Sequence, residues 1–425
     1  MLRVAVWLLA ILGGGGVGAV DRTSGPADNL LTKIEQGREQ IKDESVQLMM
    51  GTVGIRHVRV GRHRYIDVPI TGIVGREMAL AVLDPSGEIK TVRAVKRDSG
   101  FQVLTPGFNL QMRRENGLNS DIACIDPVGG KVVAVKYPVS NEGNRFGGGA
   151  PVIQALYTPY SAEIKTDEVI KRGIDVQNSF IEKAYSRLRR SGVLSRAFPG
   201  RPIVDVIPKD ILRVLLLNEH IDPGEFKSSG LTGPLVERVL TVIGTNHDKA
   251  YAYSISPARA RGLVQMIPST YSLMLNKYPG AGLKSDFVSG MSDPINAVMA
   301  QLLLCDSDWQ SIRARSDLSS EKVGPYLAAA YNGGVGRVLN VLSHNENDWM
   351  EQPDLNSRPT MTVTRTVAVR VRTRRGKTAR RYVSKSYTEP IFKNETSKYV
   401  NQYHWISDYL ADASKPATKP RVDVR

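Results

Sequence analysis

Two rhythms of apolar residues divide the chain. From about residue 53 to 157, short β-branched runs alternate with turn sequences such as Asp84-Pro85-Ser86-Gly87 and Asp126-Pro127-Val128-Gly129-Gly130, predicting strands over 78–83, 89–95 and 131–139. From 167 onward the period lengthens to that of a helix. Val169, Ile170, Ile174, Phe180, Ile181, Ala184, Tyr185 and Leu188 fall on one broad face and predict an amphipathic helix over 167–191. Further helices are expected over 211–219, 235–242, 263–277, 294–304, 323–330 and 396–410. Ahead of both halves, residues 20–50 turn from polar to helical, with Leu30, Leu31, Ile34 and Ile41 at helical spacing. Residues 141–150, N-E-G-N-R-F-G-G-G-A, have a linker's composition, and the Pro-containing tail 413–425 that of a disordered end.

One stretch breaks the helical half. Over 362–388 apolar and polar residues alternate on either side of Arg374-Arg375-Gly376-Lys377, which reads as a β-hairpin with Gly376 in the turn. Arg365, Arg370, Arg372, Arg374, Arg375, Lys377, Arg380, Arg381 and Lys385 crowd it. A solvated edge protected from aggregation accounts for them. So does a basic finger that touches an anionic wall polymer or membrane surface. The fold class expected is α+β: a β-rich domain over 51–160, then a mostly helical domain over 161–412 with insertions at about 226–250 and 356–390.

Composition sharpens this picture in one respect. With 425 residues, 41% hydrophobic and 23% charged, the chain is long enough for two or three ordinary globular domains. The net charge of +15 and pI near 9.7 are not ordinary and favour a polyanionic neighbour. The N-terminus narrows the choice. A basic Met1-Leu2-Arg3, an apolar run over 4–12 and small residues up to Val17-Gly18-Ala19 fit a signal peptide over 1–19. An exported chain in the periplasm or cell envelope is therefore expected, and nucleic acid is not the expected partner. Such a compartment is oxidising, yet only Cys124 and Cys305 are present. A buried thiol is the default for Cys305, and a disulfide between the two stays open. The six histidines show no ligand spacing, so no structural metal is expected.

Candidate chemistry starts at 207–226, I-P-K-D-I-L-R-V-L-L-L-N-E-H-I-D-P-G-E-F. Pro208 and Asp210 suit a first helical turn, and Ile211, Leu212, Val214, Leu215, Leu216 and Leu217 are apolar on almost every side. This buried helix ends in Glu219. Lost hydration and the negative helix end would both hold its proton, as a general acid requires. A chain simply re-entering water at that point is the other reading. Three more segments follow in order. Tyr253-Ser254-Ile255-Ser256-Pro257 leads into Arg261-Gly262-Leu263-Val264-Gln265-Met266, then comes Ala330-Tyr331-Asn332-Gly333-Gly334, then Glu395-Thr396-Ser397-Lys398-Tyr399-Val400. Gly262 permits close approach, Gln265 is an amide at an apolar helix start, and the glycines after Tyr331 suit a helix end.

Together these motifs resemble the soluble lytic transglycosylase type of peptidoglycan-cleaving enzyme, related in fold to goose-type lysozyme, over roughly 207–410. The resemblance implies a lysozyme-like helical domain with Glu219 as its lone catalytic acid. It implies sugar-binding roles for Ser254, Ser256, Gln265, Tyr331, Asn332 and Tyr399, and calls for no cofactor or metal. The chain differs from the family pattern in having His220 where a Ser usually follows the acid, Val264 in place of Met, and a wider interval between Glu219 and Gly262. His220 is a residue that could titrate and tune the acid. The implied reaction cleaves the bond between N-acetylmuramic acid and N-acetylglucosamine and closes a 1,6-anhydro ring. A hydrolytic muramidase, or an idle wall-binding or secretion-apparatus scaffold, are the competing expectations. The β-rich domain is left to bind peptidoglycan strands, dock a protein partner or shield the cleft.

Overall fold

Residues 29–140, 152–229, 232–343, 350, 360–372 and 378–413 are described by a computed structural model. The expected signal peptide, the linker 141–150, the hairpin turn at Gly376 and the tail beyond 413 lie outside them.

Alternation builds the first half. β1 (Leu48–Arg59), β2 (Tyr65–Leu83), β3 (Ile89–Arg97), β4 (Gly100–Val103), β7 (Lys131–Ser140) and β8 (Val152–Tyr157) form one antiparallel sheet in the order β4-β3-β2-β7-β8, with β1 on the N-terminal part of β2. β5 (Asn109–Arg114) and β6 (Asp121–Asp126) make a separate pair. The Asp84–Gly87 turn joins β2 to β3 as the pattern predicts. Along β2, Leu80 and Val82 face the main core, while Ala81 between them packs with α1 (Leu30–Ile41). That helix is not a free linker: Ile34 and Ile41 are buried against Ala81, Val133 and Ala134. At Gly37 a Cβ would stand 2.7 Å from a methyl of Val133, so the helix lies as close to the sheet as a bare backbone allows.

The second half is helical: α2 (Asp167–Arg190), α3 (Lys209–Asn218), α4 (Pro223–Ser229), α5 (Thr232–Asn246), α6 (Pro268–Lys277), α7 (Phe287–Ser292), α8 (Pro294–Arg313), α9 (Gly324–Gly333), α10 (Val335–Ser343) and α11 (Asn394–Ala413). Thr166 caps α2, with Asp167 and Glu168 at the positive end of its dipole. α2 crosses α5 at two glycines. A Cβ on Gly173 would lie 2.1 Å from the Leu240 carbonyl oxygen, and one on Gly244 2.3 Å from that of Val169. Among the helices sits β9 (Thr360–Arg372) paired with β10 (Thr378–Pro390), the hairpin expected from alternation.

The chain is thus α+β. Two helical expectations change. Residues 263–267 are turns and extended backbone, and α6 starts only at Pro268, whose missing N–H suits the first turn. α8 continues past 304 to Arg313, because the polar run Asp306-Ser307-Asp308 points inward. Asp306 accepts hydrogen bonds from the Tyr278 hydroxyl at 2.8 Å, the Arg196 N–H at 2.7 Å and the Ser195 hydroxyl, which satisfies a carboxylate inside the core. Cys124 and Cys305 are buried free thiols, so the disulfide left open does not form here.

The two halves share a core. Leu80, Val135 and Tyr157 of the sheet belong to the same buried cluster as Leu215 of α3 and Leu302 of α8. Polar groups stitch the seam. Thr158 N–H donates to Asn246 Oδ1 at 2.8 Å, Asn246 Nδ2 returns a bond to the Thr158 carbonyl at 2.9 Å, and Arg38 of α1 reaches the Thr245 carbonyl at 2.6 Å. No helix among the described residues is long and apolar enough to cross a membrane.

Candidate active site

α3 ends where its apolar surface ends. Ile211, Leu212 and the residues 214–217 are buried, and Glu219 takes the C-cap position with its N–H on the Leu215 carbonyl at 3.1 Å. The neighbouring Asn218 donates from Nδ2 to the Tyr399 carbonyl at 3.0 Å, tying the end of α3 to α11. From that helix the Tyr399 hydroxyl donates to Glu219 Oε1 at 2.6 Å. Burial is the largest influence on the carboxyl and pushes its pKa up to about 8. The tyrosine bond opposes this, and the negative charge of Glu395 adds to it. Glu219 therefore carries a proton at neutral pH. Its Oε1 is occupied by Tyr399, which leaves Oε2 to carry that proton.

The partly buried carboxyl lines a cleft of about 650 Å³ at the seam of the two halves. The helical side contributes Glu219, His220, Tyr251, Tyr253, Ser254, Ser256 and Gln265. The opposite wall comes from the β-rich half, with Arg76, Arg114, Asn116, Asn119 and Tyr137. Four of the expected site residues thus meet: Glu219, Ser254, Ser256 and Gln265. Gln265 is not at a helix start but in a turn with φ 45°, its amide donating to the Gly262 carbonyl at 2.8 Å. Ser256 Oγ receives the Ala260 N–H at 3.1 Å. Tyr331, Asn332 and Tyr399 are not among the residues that line the cleft. The Tyr331 hydroxyl donates to the Val264 carbonyl beside Gln265, and the exposed Asn332 accepts from Thr396 through Oδ1.

His220 has a settled state. Its Nε2 lies 2.8 Å from the Leu263 carbonyl, which can only accept, so Nε2 carries the hydrogen. The ring stacks on Tyr251 with centroids 3.5 Å apart and planes 10° from parallel. Burial pushes its pKa down to about 4, with the carbonyl bond opposing. His220 is therefore neutral near pH 7 and does not titrate beside the acid, contrary to the expectation that it could tune it. It braces the Leu263 turn.

Tyr251, with φ 58°, belongs to a chain of contacts that sequence reasoning missed. Its N–H donates to the Tyr157 hydroxyl at 3.2 Å. That hydroxyl donates to Asn119 Oδ1 at 2.7 Å, and Asn119 Nδ2 donates to Ser254 Oγ at 2.8 Å. The β-rich half thus holds the 251–256 loop beside the acid. Nothing local marks Asn119, because its partner lies 135 positions away. Asn119→Ala is expected to lower turnover roughly 10-fold by releasing Ser254, while destabilising the fold by only about 1 kcal/mol. Steady-state rates and a denaturant midpoint read both. Equal loss in stability and no loss in rate would make the contact merely structural.

Two other carboxylates border the cleft, both solvent-exposed and each bonded through one oxygen. Asp222 Oδ1 accepts the N–H groups of Gly224 at 2.6 Å and Glu225 at 3.1 Å. Glu115 pairs with Lys96 at 3.1 Å. What the arrangement can do is deliver one proton from Glu219 to a group seated between two polar walls, and take one back. Comparison of the chain with family models, curated proteins and solved structures returns no match.

Proposed function

We propose that this chain is a lytic transglycosylase, its helical half lysozyme-like, that cleaves the β-1,4 bond between N-acetylmuramic acid and N-acetylglucosamine in peptidoglycan. The observation that carries the reading is a single protonated carboxyl, Glu219, at the seam of an open polar cleft whose other two carboxylates, Asp222 and Glu115, are solvent-exposed and each bonded to another group through one oxygen. The motif resemblance set out above supports it. Glycosidases with two working carboxyls need the second one free to attack or to activate water.

In this mechanism Glu219 Oε2 gives its proton to the glycosidic oxygen as the C1–O bond breaks. The substrate's own acetamido carbonyl supports the positive C1. Glu219, now ionised, takes the proton of the muramyl C6 hydroxyl, whose oxygen bonds to C1. The acid is restored and no water is consumed. Ser254, Ser256 and Gln265 hold the sugar in the cleft, and Tyr399 keeps the carboxyl aimed. The proposed setting is the periplasm or cell envelope, where this substrate lies.

Digestion of purified sacculi in heavy-oxygen water tests the reading. Muropeptides ending in unlabelled anhydromuramyl groups, one water lighter than reducing ends, are the expected products. Labelled reducing ends would establish a hydrolytic muramidase instead, and intact sacculi would leave only a wall-binding scaffold.

A further inference from the structure

The ribbon of β9 and β10 has no part in the cleft. Each strand has 13 residues, so the ribbon extends about 40 Å. Among the described elements it packs substantially only on itself, and Met361 at its base is its one residue packed against the main core. Its register sets Arg370 directly opposite Arg380, and Arg365 opposite Lys385. Directly opposed residues of an antiparallel pair point to the same face, where like charges repel. Arg372 and Arg381 add two more exposed cations. The carboxylate facing this group is Glu389, held by Arg365 at 2.8 Å.

The register also sorts the apolar residues. Val363, Val367, Val369, Val371 and Val383 all lie on the face that carries Arg365, Arg381 and Lys385, and none belongs to the hydrophobic core. The opposite face is mostly Thr and Ser, with Arg370, Arg372 and Arg380. Tyr382 and Tyr387 are exposed on either face at 67% and 39%. A two-stranded ribbon is marginal alone, and opposed cations weaken it further. Anions bridging those pairs would reverse the penalty. A soluble polyanion would match the cations but leave the valine row in water. A bilayer against the valine-bearing face matches both, phosphates to Arg365, Arg381 and Lys385 and the interfacial region to the valines and Tyr387.

We propose that the β9–β10 ribbon is a membrane-surface anchor that lies on anionic phospholipid. The inference is independent of the glycan-cleaving reading.

Co-sedimentation of the full chain with vesicles tests it, using phosphatidylglycerol mixed with phosphatidylcholine against phosphatidylcholine alone. Binding to the anionic vesicles that weakens with salt is expected. The triple variant R365Q/R381Q/K385Q, which removes the cations of the valine-bearing face, should lose about 100-fold in affinity. The variant V367T/V369T/V371T keeps strand-forming residues and should lose roughly 10-fold on vesicles, with binding to soluble polyphosphate unchanged. Thermal melting of each variant checks that the rest of the fold is intact. Wild-type binding by the triple variant would overturn the proposal. So would a threonine variant that binds vesicles as tightly as wild type, which would assign the ribbon to a soluble polyanion.

Discussion

Glu219→Gln is expected to lower glycan cleavage by roughly 10²–10⁴-fold while making the protein more stable at alkaline pH. The two effects share one cause. The folded pKa of about 8 lies above the value of 4.5 for the group in water, so the folded state binds the proton more tightly than the unfolded one. Stability attached to this group is fully present below about pH 4.5 and is lost as pH rises through about 8. The glutamine variant has no charge to bury and can still accept the Tyr399 hydrogen bond. At pH 8 to 9 it should exceed wild type by up to about 3 kcal/mol. The pH profile of wild-type kcat/KM should fall above about 8 as the acid form disappears. Melting curves and rates across that range check both, and a variant that cleaves at the wild-type rate would remove Glu219 from the mechanism.

Gly262→Ala should be the most damaging change outside the acid, destabilising by about 2–4 kcal/mol and reducing cleavage at least 10-fold. Gly262 has φ 71°, and a Cβ there would stand 2.3 Å from the Met291 carbonyl oxygen, a backbone atom that cannot swing aside. The same residue organises the cleft. Its N–H donates to the Ser254 carbonyl at 3.2 Å, and its own carbonyl receives the Gln265 amide. Relief of the clash must therefore displace Ser254 and Gln265, the residues proposed to hold the sugar. A denaturant midpoint and a cleavage rate equal to wild type would show that the loop yields without consequence.

Glu219 was legible because an apolar run that ends in a carboxylate is visible in one dimension, and the turn-flanked strands and amphipathic α2 were legible for the same reason. Two boundaries were not. Leu263-Val264-Gln265-Met266-Ile267 imitates a buried helix start, although Pro268 marks the real first turn. Asp306 looks like a helix end until its partners from 195, 196 and 278 are in place. Periodicity reports which face is apolar and says nothing of which distant polar group will meet it. For that reason Asn119, Tyr157 and Tyr251 could not be assigned to the site before the fold placed them. The stack of Tyr251 on His220 explains a histidine that motif comparison could only register as a departure.

The shared core and the hydrogen-bonded seam between Thr158, Asn246 and Arg38 have a consequence for how substrate is admitted. Hinge closure needs two bodies joined by a few yielding residues, whereas these walls are packed through side chains of both halves and latched by Asn119 on Ser254. The cleft is in effect a fixed aperture. On the proposed function its width would be set during folding rather than on encounter, so selection between glycan strands would fall to the strand: segments that already fit would enter, and those carrying bulkier cross-links would be turned away at the rim.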